Sequence, residues 1–316
     1  MKTVAVIGAD SFIGQHLISL LCADDNMQIR ALVHDSKENC KYNLNKVKTI
    51  KGDLLEPDSL NNLLVADCSV INLAYLWQRT KEENLQALAN LVQLCRRAKV
   101  KRFIHCSTAI VAGRVNVGTV TETTICQPVN DYEKNKLAME QLLLHQLGHD
   151  CEIAILRPTG VFGPGGKNLM KLAADLIRGK RWLNYLKSSL FGQRRMNLVW
   201  IENVVAALKF LLDTDKKIDQ EIFIISDDEY SLNNYRALEK FLMGGFAIKD
   251  YPVPALKFLA IFLPLMLWLA NKSDLNPNTI YSCQKIKAFG LVKPLTLEQG
   301  LEKFVAWYKK NESLKR

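Results

Sequence analysis

Tyr132 and Lys136 lie four positions apart and are the residues whose types and spacing best suit acid–base chemistry. On a helix they face the same side, and a nearby ammonium favours the phenolate over the phenol. A tyrosine with an ordinary pKa of about 10 can then exchange a proton with a substrate at neutral pH. The spacing alone decides little, because Tyr281 and Lys285 share it. The context favours Tyr132, which opens a long amphipathic helix after a strand ending in Ser107–Thr108, whereas Tyr281 lies in a polar stretch and is expected to be structural.

The start of the chain predicts a turn that binds a dinucleotide. A strand-like run, Val4–Ile7, breaks into the sequence GADSFIG. Such a turn leaves backbone N–H groups free to meet a pyrophosphate; Gly8 allows the turn, and Gly14 lets the helix sit close to the sheet. The usual pattern has three glycines, but Ser11 replaces the middle one, so either the backbone approaches the phosphate less closely or the serine hydroxyl donates instead. The predicted cofactor contacts in this turn are Gly8, Ser11, Phe12, Ile13 and Gly14.

The elements that must position these residues alternate between strand and helix through the first half of the chain. This alternation predicts βαβ units and a parallel sheet. Strands are predicted at Thr3–Ile7, Gln28–Val33, Lys48–Lys51, Ser69–Leu73, Arg102–Cys106 and Glu152–Leu156, and helices at Gln15–Leu21, Asn84–Arg97 and Tyr132–Leu147. Two later runs, Asn197–Ile201 and Glu221–Ile225, are predicted to return to the sheet.

The predicted fold class is therefore α/β, a Rossmann-type doubly wound parallel sheet with a smaller C-terminal substrate-binding region. Residues 1–165 are expected to form the dinucleotide-binding domain. Residues 166–316 are expected to be mainly substrate-binding, interleaved with the first part through the strands near 197–225.

Composition limits the classes of partner. Apolar residues make up 48% and charged residues 23%, as in a soluble globular protein. The net charge of +10 suits anionic ligands or an anionic membrane surface, but the basic residues are scattered, so no nucleic-acid partner is expected. The eight cysteines form no C-x-x-C pair, which indicates reduced core thiols and no metal site. A chain that opens on its first strand predicts no cleaved signal peptide, and we expect a cytoplasmic protein.

One apolar segment, Phe258–Ala270, leaves two interpretations open. Its thirteen residues contain a proline, are bordered by lysines and are too few to span a bilayer. The first interpretation is a helix pair packed over the substrate cleft. The second is an interfacial segment with Trp268 and the lysines at the lipid headgroups, giving peripheral contact with the inner membrane face through residues 253–272.

Together these features resemble the extended short-chain dehydrogenase/reductase superfamily, in its NAD-dependent epimerase/dehydratase group. The resemblance covers nearly the whole chain, with the motifs in the family's order. They are the turn at Gly8–Gly14, Gly52–Leu54, Val70–Ala74, Asn84, Lys101–Thr108, Tyr132 with Lys136, Leu156–Gly165, Trp200–Val204 and Leu291–Leu301. The resemblance also implies a homodimer formed through the helices at Asn84–Arg97 and Tyr132–Leu147.

The resemblance implies three catalytic residues. Tyr132 would exchange a proton with a substrate hydroxyl or carbonyl, and Thr108 would hydrogen-bond the same oxygen. Lys136 would hold the nicotinamide ribose and lower the pKa of Tyr132. Ser107 is the rival of Thr108 and a candidate substrate contact.

The resemblance also assigns cofactor contacts beyond the glycine turn. The family's aspartate at the adenine corresponds to Asp53, and the remaining contacts are Leu54, Leu73, Ala74, Pro158 and Val161, with Tyr132 and Lys136 at the nicotinamide end.

The sequence leaves the choice between NADP(H) and NAD(H) open, with a preference for NADP(H). Enzymes that prefer NAD usually place an acid at the end of the second strand, where this chain has Val33. His34 and Lys37 follow and could instead receive a 2′-phosphate. A 2′-phosphate preference that survived replacement of both by alanine would contradict this interpretation.

Three functional hypotheses compete. The first is an epimerase or keto-sugar reductase acting on a nucleotide sugar, with Asn84, Asn168 and Arg195 as substrate contacts, although Arg195 is one position out of the family's register. The second is a dehydrogenase of a hydrophobic alcohol or ketone, similar to 3β-hydroxysteroid dehydrogenases and supported by the apolar segment. The third is a non-catalytic dinucleotide-binding subunit, which the intact Thr108, Tyr132 and Lys136 argue against.

Two departures bear on the sugar hypothesis. Ala112 stands where many sugar-acting relatives have a tyrosine, and Trp77 stands where UDP-galactose 4-epimerases have a lysine. An aromatic wall of the sugar pocket and one cofactor contact are therefore in question.

Overall fold

A computed structural model of the chain describes residues 1–33, 46–115, 117–148, 150–254, 256 and 277–313. Its central sheet has seven strands, which all pair in parallel. They are β1 (Lys2–Ile7), β2 (Met27–Val33), β3 (Val47–Lys51), β4 (Ser69–Asn72), β5 (Arg102–Cys106), β7 (Glu152–Pro158) and β10 (Glu221–Ile225). Their spatial order is β3-β2-β1-β4-β5-β7-β10, so the chain winds outward from β1 in both directions. The predicted doubly wound parallel sheet is confirmed.

Two short parallel pairs lie outside this sheet. In one, β8 (Gly160–Phe162) pairs with β9 (Leu198–Trp200); in the other, β6 (Thr119–Val120) pairs with β11 (Ile280–Tyr281). The strand predicted at Asn197–Ile201 therefore exists, but it joins β8 and not the central sheet. The strand predicted at Glu221–Ile225 does return to the sheet, at its edge beside β7. The division at residue 165 stays a prediction.

Helices cover both faces of the sheet. They are α1 (Phe12–Cys22), α2 (Lys81–Arg97), α3 (Asp131–Leu147), α4 (Met170–Arg178), α5 (Arg181–Phe191), α6 (Ile201–Asp213), α7 (Tyr235–Gly245), α8 (Gln284–Ala288) and α9 (Leu297–Ser313). Along β1, Val4 and Val6 belong to the core cluster with α1 and α6, whereas Ala5 and Ile7 belong to the cluster with α2 and α3. This alternation is what a strand buried on both faces requires.

A buried ion pair ties the C-terminal part to the sheet. The Nζ atom of Lys293 lies 2.6 Å from the carboxylate of Asp227, and both side chains are buried. Asp227 also accepts a hydrogen bond from the backbone N–H of Trp200 at 3.0 Å. Because a buried charge needs its partner, this contact fixes the segment before α9 against β9.

Membrane and metal features can be stated for the described ranges alone. There, no helix is both long and apolar enough to cross a bilayer. Within the same ranges, no three His, Cys, Asp or Glu side chains gather as metal ligands would. The apolar segment Phe258–Ala270 lies outside the described residues.

Candidate active site

The turn after β1 needs both of its glycines. Gly8 has φ of +78°, in the left-handed region, and an added Cβ would lie 3.1 Å from the backbone N of Ala74. A Cβ on Gly14 would lie 2.3 Å from the carbonyl oxygen of Gly8, which no side chain can tolerate. The predicted roles of the two glycines, a tight turn and close packing of α1, therefore match the geometry.

Ser11 caps the helix that starts at this turn. Its Oγ accepts a hydrogen bond from the N–H of Gly14 at 3.1 Å, as N-cap serines do. The N–H groups of Phe12 and Ile13 belong to the first turn of α1, where a helix offers no internal acceptor. The serine thus satisfies one amide of the helix N-terminus and leaves its own hydroxyl proton to donate elsewhere.

A cleft of about 560 Å³ runs from this turn along the carboxyl ends of the central strands. Most of the predicted cofactor contacts line it: Gly8, Ser11, Phe12, Ile13, Asp53, Leu54, Leu73, Ala74, Tyr132 and Lys136. The predicted substrate contact Ser107 lines it as well. Residues at the carboxyl ends of the first five strands and in α3 therefore meet at one edge of the sheet, as a parallel sheet dictates.

Three predicted cofactor residues in the described part of the chain do not contribute to this lining. Gly14 lies beneath the turn, and Pro158 is buried at the end of β7. Val161 packs against the large core cluster. His34 and Lys37 lie outside the described residues, so the predicted basis for choosing between NADP(H) and NAD(H) stays a prediction.

Two sets of contacts fix the start and the orientation of α3, the helix that carries Tyr132. Asn130 caps the helix by accepting a hydrogen bond from the N–H of Glu133 at 2.9 Å. About two turns further on, Arg157 of β7 donates two hydrogen bonds to the carboxylate of Glu140, at 3.0 and 2.5 Å. Both charged groups are buried, so this bidentate pair holds the helix in one register against the sheet.

Lys136 is buried, and its ammonium points into the wall of the cleft. Its Nζ donates to the carbonyl oxygen of Cys106 at 2.8 Å and lies 5.7 Å from the ring centroid of Tyr75. Burial lowers the pKa of Lys136. Burial raises the pKa of Tyr132, and neighbouring Cys106 and Tyr75 add to the rise.

This direction for Tyr132 is opposite to the one expected from a neighbouring ammonium. Desolvation dominates, because the phenolate would lie in a wall made mostly of apolar and aromatic groups. The phenol is therefore the resting form, and the phenolate needs a positive charge close by to stabilise it.

Two hydroxyl groups follow β5, and they differ in position. Ser107 is buried in the cleft wall, and among the described residues its Oγ finds no hydrogen-bond partner. Thr108 is partly exposed at the start of the short helical turn Ala109–Ala112 and does not belong to the cleft wall as described. The choice between Thr108 and Ser107 stays a prediction. The unpaired, buried hydroxyl of Ser107 favours Ser107, because a buried polar group usually has a hydrogen-bond partner, which a substrate could provide.

An aromatic cluster covers Tyr132. The Trp77 ring stacks on it at 5.0 Å between centroids and 11° between planes. The Tyr75 ring meets Tyr132 edge-on at 4.9 Å and Trp77 edge-on at 4.8 Å. Trp77 is nevertheless 74% exposed, so its indole forms an outer cover of the cleft and not a core contact.

Asn84 holds the loop that carries these aromatic residues. Its Oδ1 accepts from the N–H of Leu76 at 2.9 Å, and its Nδ2 donates to the carbonyl oxygens of Leu76 and Thr80. Asn84 is buried at the start of α2. Its predicted role as a substrate contact is untested, and in this geometry its amide positions the loop.

The two remaining predicted substrate residues lie away from the described cleft. Asn168 is exposed, and its Nδ2 donates to the carbonyl oxygen of Val161 at 2.6 Å. Arg195 lines a separate, shallow depression, and its backbone bridges to Asn234. The structure therefore does not bring Asn168 and Arg195 together with Tyr132.

Comparison with known proteins decides the family. The sequence profile of the NAD-dependent epimerase/dehydratase family matches residues 4–226, which include the turn, the cleft and both Tyr132 and Lys136. The chain belongs to this family.

Similar proteins carry the names of enzymes with different substrates. The sterol-4-alpha-carboxylate 3-dehydrogenase (decarboxylating) of Saccharomyces cerevisiae is 26% identical, over 97% of this chain and 98% of that protein. The N-acetyl-alpha-D-glucosaminyl-diphospho-ditrans,octacis-undecaprenol 4-epimerase of Escherichia coli is 24% identical, over 95% of this chain and 93% of that protein. Among solved structures, UDP-glucuronic acid 4-epimerase from Bacillus cereus in complex with NAD superimposes with a TM-score of 0.74 at 19% identity, over 98% of each chain.

The cleft of this epimerase/dehydratase suits a nicotinamide dinucleotide. The Gly8–Gly14 turn places the first residues of α1, with their unpaired backbone N–H groups, at one end of the cleft. At the other end, Lys136 offers its ammonium, and Ser107 offers the hydroxyl that is unpaired among the described residues. Backbone amides at one end and polar side chains at the other match the two ends of such a molecule.

Sequence reasoning missed several residues of the cleft, above all Tyr75. Asp10, Leu32 and Cys106 are also in the wall. A signal existed, since each of these residues lies in or beside a motif that had been recognised. In the sequence, Trp77 is only a departure from relatives, and no local pattern predicts its contact with Tyr132.

Proposed function

We propose that this chain is an NAD(P)-dependent oxidoreductase that acts on a nucleotide sugar, as a 4-epimerase or a keto-sugar reductase. The observation that carries the proposal is the position of Tyr132 and Lys136, side by side in the wall of a cleft that begins at the Gly8–Gly14 turn. A proton-exchanging group and a cation next to a dinucleotide site suit hydride transfer at a secondary alcohol.

The proposed chemistry divides between the cofactor and the chain. A bound nicotinamide dinucleotide supplies the carbon that accepts or returns a hydride. In the oxidative direction, the substrate O–H and carbinol C–H bonds break and a C=O bond forms. The proton would go to the oxygen of Tyr132, and a bound dinucleotide would take up the hydride. Thr108 or Ser107 donates a hydrogen bond to the same substrate oxygen and holds it in line.

Lys136 has a specific part in this scheme. Because burial raises the pKa of Tyr132, the phenolate must be stabilised before it can accept a proton. Lys136 is the cation of the same helix, one turn away, and its burial concentrates its field within the cleft. It would also hold the nicotinamide ribose.

A diphosphate-linked sugar is supported by the full-length relative from Escherichia coli, whose name specifies a 4-epimerase of a diphospho-linked N-acetylglucosaminyl group. The cofactor proposal is NADP(H) or NAD(H). The Bacillus cereus structure was solved with NAD, whereas the preference for NADP(H) rests on His34 and Lys37.

A second candidate function has its own observation. The aromatic surface of Tyr75 and Trp77 over Tyr132 offers an apolar face to a flat, hydrophobic ring alcohol. The full-length sterol dehydrogenase relative from Saccharomyces cerevisiae supports this alternative.

Identification of the dinucleotide tests the proposal first. The protein is purified gently and denatured, and the released dinucleotide is identified by mass spectrometry. Stoichiometric NAD would support an epimerase, which returns its hydride and never needs to exchange the cofactor. An empty site that then binds NADPH would support a reductase.

The substrate class is tested with two sets of compounds. Purified protein is incubated with UDP-glucose and UDP-N-acetylglucosamine, and separately with a 3β-hydroxysteroid in detergent, and the products are followed by NMR. Conversion of a UDP-sugar supports the first proposal, conversion of the steroid supports the second candidate, and no dinucleotide binding at all contradicts both.

We also propose the family's homodimer, formed through α2 and α3 of each copy, in a cytoplasmic protein. Light scattering after size exclusion tests the stoichiometry. A monomer at micromolar concentration would contradict the dimer without touching the catalytic proposal.

A further inference from the structure

The corner between α4 and α5 presents an unusual run of exposed residues. Every residue from Ile177 to Leu183 is exposed. The run reads IRGKRWL and contains three cations, three large apolar side chains and no acid. Trp182 is 61% exposed. Single exposed apolar residues are ordinary on a surface, but a contiguous group of them marks an interaction site.

Helix α5 buries polar residues and exposes apolar ones. Its buried residues are polar: Asn184, Ser188 and Ser189. Its exposed large apolar residues are Trp182, Leu183 and Leu186. A helix on a water-facing surface has the opposite arrangement, with its apolar stripe toward the core. The outward face of α5 therefore has the character of a surface that contacts apolar material.

The buried polar side of α5 is well satisfied, so the arrangement is built into the fold. Asn184 donates to the carbonyl oxygen of Asp175 at 2.6 Å. Ser189 accepts from the N–H of Leu256 at 3.1 Å, and the hydroxyl of Tyr185 donates to the carbonyl oxygen of Pro254 at 3.0 Å. These bonds hold the loop after α7 against α5 in a fixed position.

That loop extends the apolar surface. Val253 and Leu256 are exposed. Between the loop and α5 lies a depression of about 480 Å³, whose wall consists of Arg181, Trp182, Tyr185, Tyr251, Pro252 and Val253. Roughly half of the large apolar side chains exposed in the described part of the chain belong to this single face.

We propose that this face, the α5 face (Ile177–Leu183, Leu186, Pro252–Pro254 and Leu256), docks on an anionic phospholipid membrane. The charge pattern selects this occupant. Arg178, Lys180 and Arg181 border the apolar centre. Among the acidic side chains beside it, Asp175 pairs with Lys187 and Asp250 with Lys240, and the buried Glu239 accepts from the hydroxyl of Tyr251. A tryptophan and leucines bordered by cations match a bilayer interface, with apolar groups below the headgroups and cations among the phosphates.

The sequence after this face has the same character. From Leu256 the chain continues through Lys257 into the apolar run that begins at Phe258. The proposal rests on α5 and its neighbouring loop, which the sequence pattern did not single out, and it does not depend on which alcohol the enzyme oxidises.

Vesicle sedimentation of the full chain tests the proposal. The protein is mixed at low salt with vesicles of phosphatidylcholine, with and without phosphatidylglycerol. We expect co-sedimentation with the anionic vesicles, and about tenfold weaker binding for the double variant Trp182→Ser with Leu186→Ser. The variant Arg178→Gln with Lys180→Gln should lose most of the preference for anionic lipid.

The matched control is Val292→Ser, an equally simple change at a side chain that is 84% exposed on another segment. It should bind like the wild type. Thermal unfolding and dinucleotide binding should be unchanged in every variant, because the altered side chains lie outside both the core and the cleft. As a second measurement, brominated phospholipids should quench tryptophan fluorescence in the wild type and much less in Trp182→Phe.

Three outcomes would overturn the proposal. The first is failure of the wild type to sediment with anionic vesicles, and the second is wild-type binding by the Trp182→Ser with Leu186→Ser variant. The third is conversion of a dimer to a monomer by the same variant in sedimentation velocity, with vesicle binding absent. That result would assign the α5 face to a second copy of the chain.

Discussion

Two tyrosine–lysine pairs with identical spacing have different surroundings in this protein. Tyr132 and Lys136 occupy one helix, α3, and both line the cleft. Tyr281 lies in the two-residue strand β11, and Lys285 lies in the short helix α8 that follows. The same four-residue interval thus spans a single helical turn in one place and a strand-to-helix junction in the other.

The two lysines have correspondingly different partners. Lys136 is buried and donates to the Cys106 carbonyl oxygen at the cleft. Lys285 is partly exposed, donates to the Ile222 carbonyl oxygen at 2.7 Å and pairs with the carboxylate of Glu221 at 2.6 Å. Its charge is already neutralised at the outer edge of the sheet. The comparison shows that an i, i+4 spacing indicates catalysis only when one helix places both side chains at a cleft.

The largest expected contrast lies between Tyr132→Phe and Tyr281→Phe. Loss of the Tyr132 hydroxyl removes the proposed proton exchange, and turnover should fall about 10²- to 10⁴-fold. Dinucleotide affinity should change less than about threefold, because the ring and its packing remain. Turnover is followed by NMR on the converted substrate, and affinity by quenching of protein fluorescence.

Tyr281→Phe is the control for Tyr132→Phe. Tyr281→Phe should keep turnover within about twofold, since its ring belongs to a small buried cluster with Ala109, Ala112 and Val120 and does not line the cleft. A comparable loss of turnover in both variants would mean that the site is misplaced. Equal loss of turnover and dinucleotide affinity in Tyr132→Phe would lead to the same conclusion.

The second largest contrast is expected between substitutions of Lys136 and Lys285. Lys136→Met keeps the length and removes the charge, so dinucleotide affinity should fall about 10- to 100-fold, the range for a hydrogen bond to a charged group. Lys285→Met should leave affinity unchanged and cost less than about 1 kcal/mol of stability, because its ion pair is partly exposed. Calorimetric titration and urea unfolding measure the two quantities. Unchanged affinity in Lys136→Met would remove its proposed contact with the ribose.

Much of this contrast was accessible from the sequence. The strand before Ser107 and the length of the following helix predicted that Tyr132 lies in a helix, and the parallel sheet followed from the alternation of elements. The glycine turn was also predictable, since Gly8 and Gly14 are required by backbone geometry and not by distant packing.

Other features depend on contacts that no local pattern encodes. A short strand carries no information about its partner, so β9 was assigned to the central sheet although it pairs with β8. The raised pKa of Tyr132 follows from desolvation by the surrounding wall, which spacing alone cannot predict. The inverted α5 face shows only when burial is known, because its composition by itself is that of an ordinary amphipathic helix.

Asp228, which contacts the backbone of Tyr281, predicts that stability depends on pH. Asp228 accepts a hydrogen bond from the Tyr281 N–H at 2.9 Å, yet burial raises the pKa of Asp228 to about 6 from an ordinary 3.8. The folded state therefore binds more protons than the unfolded state between these values. This group's stabilisation is full below about pH 3.8 and is lost as the pH rises through about 6.

The variant Asp228→Asn isolates this effect. It should be less stable at every pH, because an amide cannot accept from all the donors around Asp228, but it lacks the titration. The difference in unfolding free energy between wild type and variant should shrink by about 2 to 3 kcal/mol between pH 4 and pH 7. Urea unfolding at both pH values measures it. A difference that stayed constant, or grew, would show that the carboxylate is already charged in the folded state at pH 4.

The smallest expected effect is a change in KM when Trp77, which covers the Tyr132 ring, is replaced. Trp77 stacks on Tyr132 at 5.0 Å while remaining 74% exposed, so a substrate ring must displace the indole or pack against it. If the substrate ring packs against the indole, Trp77→Ala should raise KM about three- to tenfold with kcat nearly constant, the size of a lost aromatic contact. If the substrate ring displaces the indole, the same variant should lower KM, because the indole no longer has to be moved.

Trp77→Phe separates packing from displacement, since a smaller ring can still stack on Tyr132. A KM close to that of the wild type would support packing. Trp77→Lys then tests substrate class, because a lysine at this position is what UDP-galactose 4-epimerases carry. A gain in turnover of UDP-sugars with a loss for hydrophobic ring alcohols would assign to Trp77 the choice between the two candidate substrates. No change for either class would leave the indole without a role in recognition, and the aromatic cluster would then be a property of the fold around Tyr132 alone.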